Sequence, residues 1–162
     1  MNTALRTKDG SHVEDRTQSH AKIHLSLLAR VLALVVAGGR SFFKTTVDLG
    51  EIVGEGNCLP TTAKDIPRIV FARRVGRKGL TRFVESDEPC PTSLVTVVLK
   101  RMQEKEGYVL IAAWLGGDAE VEPWDARATD AARRFWKTHA LRWGSEEVEE
   151  DTKTRIPPSS FL

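Results

Sequence analysis

His12, Arg16, His20 and His24 stand four residues apart along the segment HVEDRTQSHAKIH. On a helix that spacing sets three imidazoles and a guanidinium along one slowly drifting stripe. An imidazole exchanges protons near neutral pH, as cleavage of a phosphodiester by the neighbouring 2'-hydroxyl requires, and a guanidinium stabilises the extra charge on a five-coordinate phosphorus. His12 and His20 are therefore candidate proton-transfer residues, with Arg16 as the phosphate-stabilising neighbour. Two other readings stay open. A pair of His at i, i+4 is half of a metal site, although neither an HExxH string nor a nearby cysteine completes one and no metal is expected. The same residues also suit a merely exposed, polar approach to a helix.

A second cluster lies in the middle of the chain. Lys64, Arg68, Arg73, Arg74, Arg77, Lys78 and Arg82 are accompanied by one acid, Asp65. In RRVGRKG the flanking Gly76 and Gly79 let the backbone bend closely around a polyanion, with guanidinium groups on phosphate oxygens. Arg73, Arg74, Arg77, Lys78 and Arg82 are the candidate nucleic-acid contacts, against the plainer reading of a solvated basic loop. Acids gather instead at Asp118 to Asp130 and at Glu146 to Asp151, which predicts a bipolar surface.

Elements must position these groups. The apolar run Ile23 to Gly39 carries His24 and Arg30 and falls short of about 20 residues, so it reads as a soluble helix with Leu27, Leu28, Val31, Leu34 and Val35 inward and Gly38-Gly39 as the stop. Strands are predicted at Ser41 to Val47, Glu51 to Val53, Arg68 to Arg74, Arg82 to Val84, Leu94 to Arg101 and Tyr108 to Leu115, the last two forming a hairpin. A second helix is predicted from about Ala126 to His139 with Asp125 as its N-cap, burying Ala131 and Phe135. Trp124, Trp136 and Trp143 read as core, with base stacking as the alternative.

The whole chain of 162 residues, 41% hydrophobic and 28% charged, fits one globular domain over residues 1–144 followed by an acidic, flexible tail over 145–162. The fold class expected is α+β: an N-terminal helix packed on a mostly antiparallel sheet, with a C-terminal helix added. Cys58 and Cys90 make no disulfide framework, which suits a reducing cytoplasm. Neither G-x-G-x-x-G, a Walker loop nor G-x-S-x-G occurs, so no cofactor and no serine-hydrolase chemistry is expected. A net charge of +2 identifies no partner by itself.

The order of a His-x-x-x-Arg segment before a helix, a basic Gly-containing middle, and a terminal hairpin VTVVLKR(x)6GYVLIAAW resembles the small bacterial endoribonuclease toxin domains of the barnase/EndoU/colicin/RelE superfamily, over about residues 12 to 115. The resemblance implies metal-independent cleavage of RNA, a cognate antitoxin or immunity protein as partner, and no membrane. It also implies His12 as the proton-transfer residue, Arg16 as its phosphate-stabilising neighbour, and Arg77 and Lys78 as RNA contacts. The late strand of such domains reads I-T-A-[YF] with its Thr near the scissile phosphate. Here Ile111, Ala112, Ala113 and Trp114 match it, so Ala112 stands where a hydroxyl is expected. The alternative, from a different class, is a non-catalytic protein of a mobile element or toxin-antitoxin system that binds nucleic acid or a partner through the basic segment.

Overall fold

Strand outweighs helix among the described residues, and the most apolar segments, Ile69 to Ala72, Thr81 to Val84 and Val95 to Leu99, are β-rich runs buried on consecutive residues, as strands covered on both faces are. The computed structural model describes residues 5–16 and 23–162. In chain order its strands are β1 (Leu5–Arg6), β2 (His12–Glu14), β3 (Phe42–Asp48), β4 (Gly54–Glu55), β5 (Cys58–Pro60), β6 (Ile69–Arg74), β7 (Leu80–Val84), β8 (Pro91–Thr92), β9 (Leu94–Arg101), β10 (Tyr108–Leu115), β11 (His139–Arg142) and β12 (Val148–Thr154). The α-helices are α1 (Leu25–Leu32) and α2 (Asp130–Thr138). The chain divides into two compact units, Met1–Glu55 with Pro91–Asp118, and Gly56–Cys90 with Ala119–Leu162.

The first unit holds a five-stranded sheet in the order β1-β2-β10-β9-β3, in which only β2 and β10 run parallel. Its core joins Leu28, Val31 and Leu32 of α1 to Val95, Val97 and Leu99 of β9 and Leu110 of β10, all at most 1% exposed. Strands β4 and β8 form a separate two-stranded ribbon. The second unit holds a five-stranded sheet in the order β12-β6-β7-β11-β5, with β7 and β11 parallel. It carries two apolar clusters, one with Ile69, Phe71, Val84 and Ala140, the other with Val70, Phe83, Leu141 and the α2 residue Trp136, whose Nε1 donates to the Glu120 carbonyl at 2.9 Å.

These findings correct the expected α+β arrangement of one helix packed on one sheet with a C-terminal helix. Among the described residues the fold is sheet-rich, with three sheets and only short helices. Helix α1 has eight residues, and the run beyond it leaves the helical period. Leu34 N and Val35 N donate to Val31 O and Leu32 O in a tightened last turn, Leu34 and Val36 are about half exposed while Val35 and Ala37 are buried, and Gly38 and Gly39 then turn the chain at positive φ. Helix α2 starts later than expected. Thr129, not Asp125, is its N-cap and accepts from Ala132 N at 3.1 Å, because the Asp125 carboxylate is already taken by the backbone N and guanidinium of Arg127. Residues 145–162, expected as a solvated tail, contribute β12, which pairs antiparallel with β6. Among the described residues no helix is long and apolar enough to cross a membrane.

Candidate functional site

Asp9-Gly10 closes a tight hairpin between β1 and β2, with Gly10 at φ +88° and Thr7 N donating to the Ser11 carbonyl at 2.9 Å. The register sets Leu5 opposite Val13 and Arg6 opposite His12. Leu5 and Val13 are buried, so Arg6 and His12 share the outward face. The helical stripe expected at His12, Arg16, His20 and His24 is therefore corrected at its first member: residues 12–14 are a strand. Period two brings Glu14 to the same side as His12, and its Oε1 lies 3.9 Å from His12 Nε2.

Glu14 is the centre of an ion network. Lys105 pairs with it, and Arg16 donates from Nε to its Oε2 at 2.9 Å while Nη2 of Arg16 donates to Glu104 at 2.5 Å. The Lys105 ammonium and the Arg16 guanidinium hold the Glu14 carboxyl below its ordinary pKa, so it stays ionised. Arg16 is itself pushed up by Glu104 and Glu14. Hence the expected phosphate-stabilising residue is neutralised by two carboxylates. His20 lies outside the described residues. His24 stands at the start of α1 with Nδ1 3.2 Å from Ser26 Oγ.

The β1–β2 hairpin, the β9–β10 loop and Gly39 enclose an open groove of about 700 Å³, lined among others by Arg6, His12, Arg101 and Lys105. Two residues fix its walls. The Asp9 carboxylate accepts from Thr7 Oγ1 and from the backbone N of Ala37 and Gly38, and these bonds, Thr7's the largest, hold its pKa down at about 2. Gly107, at φ +113°, passes so close to β2 that a Cβ there would stand 2.7 Å from the His12 carbonyl oxygen. Ala112 is not among the residues lining this groove. It follows a bulge at Ile111, pairs with Val98 and is half-buried, so the correspondence with a phosphate-facing Thr gains no support from its position.

The expected nucleic-acid contacts belong to the second unit, and tertiary pairing with acids neutralises two of the five, Arg73 and Arg74. Arg73 pairs with Glu149, which raises its pKa, and Arg74 donates to Glu122 at 2.8 Å. Arg82 is 7% exposed, donates from Nη1 to Thr61 Oγ1 at 2.8 Å and to the His139 carbonyl at 2.9 Å, and has its pKa pushed down by burial. This corrects Arg82 from surface contact to internal strut. Arg77 and Lys78 are exposed in the β6–β7 turn, whose Gly79 packs against the Trp124 ring. His139 stacks on Phe135 at 4.0 Å between centroids.

Comparison with protein-family models, curated proteins and solved structures finds no match. The likeness to toxin ribonucleases therefore rests on sequence pattern alone. The residues that sequence reasoning missed are Arg6 and Glu14. The signals were present: Asp9-Gly10 as hairpin chemistry, and the alternation His-Val-Glu around a single apolar residue.

Proposed function

We propose that the first unit is an RNA-cleaving domain that works without a metal, in the manner of a bacterial toxin, in a cytoplasm where a cognate antitoxin or immunity protein restrains it. The observation that carries this reading is the exposed His12 imidazole in an open groove, flanked by Arg6 across the hairpin and by the ionised Glu14 on its own strand. The His12 imidazole accepts the proton of the 2'-hydroxyl as that oxygen attacks phosphorus. The bond to the 5'-oxygen breaks, and this oxygen takes a proton from His20 or from water. The products are a 2',3'-cyclic phosphate and a 5'-hydroxyl. Glu14 supplies a counter-charge to the imidazolium formed on the way.

The test is incubation of the full chain with single-stranded RNA in EDTA, with analysis of the new ends. Cyclic phosphate ends support the reading; intact RNA, or cleavage only with added divalent metal, contradicts it. A non-catalytic, binding role is the second reading, favoured by the double carboxylate pairing of Arg16, which withdraws one catalytic candidate. Retarded but uncut RNA in the same experiment selects that role.

A further inference from the structure

The arginines of the first unit fall into two classes by what orients them. Arg16 and Arg30 are oriented by carboxylates, of Glu14 and Glu104 in one case and Glu51 in the other. Arg6, Arg40 and Arg101 are oriented by backbone carbonyls: Arg6 Nη1 donates to Gly10 O at 3.1 Å, Arg40 donates to Ala37 O and Val36 O, and Arg101 Nη1 donates to Gly39 O at 2.9 Å. A carbonyl fixes a guanidinium without cancelling its charge, whereas a carboxylate does both. Of the three carbonyl-anchored arginines, Arg6 and Arg101 line the His12 groove, whereas Arg40 lies outside its lining, with its guanidinium 3.8 Å from the Phe43 ring centroid. The acids there are otherwise engaged or peripheral: Asp9 accepts from Thr7 and two backbone amides, Glu104 is held by Arg16, and Glu106 is exposed on the β9–β10 loop.

We infer that Arg6, with Arg101 lining the same groove, is the phosphate-binding residue of this groove, and that Arg16 is not. The ligand class is the phosphodiester of a single-stranded nucleic acid. Arg6 is the direct cross-strand partner of His12, so a phosphate oxygen held by its outer nitrogens stands next to the imidazole. Arg16 would have to leave two carboxylates, and the vacated pair would repel the same phosphate. This inference rests on the proposed RNA groove but not on cleavage.

Its test uses a short 2'-deoxyoligonucleotide, which presents phosphates but has no 2'-hydroxyl and so is not cleaved by that route. Arg6→Gln is expected to weaken binding about tenfold and to lower the slope of log K against log salt by about one, as loss of one phosphate contact does. Arg6→Lys should retain the slope, and Arg16→Gln should change affinity less than about twofold. In the wild type, inorganic phosphate should shift the His12 ring resonances, and this shift should vanish in Arg6→Gln while the remaining spectrum shows an intact fold. Unchanged affinity and slope in Arg6→Gln, or a loss in Arg16→Gln equal to that in Arg6→Gln, overturns the inference. The two claims separate cleanly. Arg6-dependent binding with no RNA cleavage retires the nuclease and leaves the phosphate site; cleavage that survives Arg6→Gln at full rate and affinity retires the site and leaves the nuclease.

Discussion

Asp9 shows how one carboxylate holds a groove in shape. Two of its three hydrogen bonds reach from the β1–β2 hairpin to the loop after α1, the third comes from Thr7 within the hairpin, and its pKa falls from 3.8 to about 2, chiefly through Thr7. A group whose folded pKa lies below its unfolded value stabilises the fold above the unfolded value and loses that contribution as pH drops through the folded one. The stability difference between wild type and Asp9→Asn is therefore expected to be constant above about pH 4 and to shrink between about pH 4 and pH 2. Acid titration of urea unfolding for both proteins checks it; a difference that does not change over that window would mean that Asp9 makes no charge-dependent contribution.

At the scale of elements, the strands β9 and β10 coincide with the segments Leu94 to Arg101 and Tyr108 to Leu115 read from β-branched runs, because the central residues of β9, Val95 to Leu99, are all buried and local preference agrees with the tertiary environment. The segment around His12 did not read correctly. Four-residue spacing of polar residues carries no information about burial, and the one residue that decides the period is Val13, buried between His12 and Glu14. Gly107 is the hinge on which that hairpin meets β2. Gly107→Ala forces a Cβ against the His12 carbonyl at positive φ and is expected to cost about 1–3 kcal/mol by urea denaturation, with His12 resonances displaced. A neutral result would mean that the β9–β10 loop adjusts independently of β2.

On the scale of the whole molecule, charge was the most legible property and the most misleading. A window over residues 64–82 shows a strong basic excess, yet the acids that pair with Arg73 and Arg74 lie far along the chain, at Glu122, Glu146 and Glu149. Strand β12 sets Glu149 opposite Arg73 and Val148 opposite Arg74, a pairing no local window contains. The Arg74–Glu122 pair is the least exposed of these, with Glu122 at 5%. Glu122→Gln leaves the guanidinium without its main counter-charge and is expected to cost on the order of 3 kcal/mol of stability in the second unit. A loss well under 1 kcal/mol by urea denaturation would show that Glu146, now 3.9 Å away, takes over the role. The hairpin at Asp9-Gly10, by contrast, put Arg6 beside His12 through local chemistry alone, and it is there that function is assigned. The most direct measurement of that assignment is the cleavage rate of single-stranded RNA in EDTA by His12→Ala against wild type, with RNA affinity measured alongside. The account predicts a loss of roughly two orders of magnitude or more in rate at nearly unchanged affinity. Equal rates in the two proteins, or no cleavage by either, would contradict it.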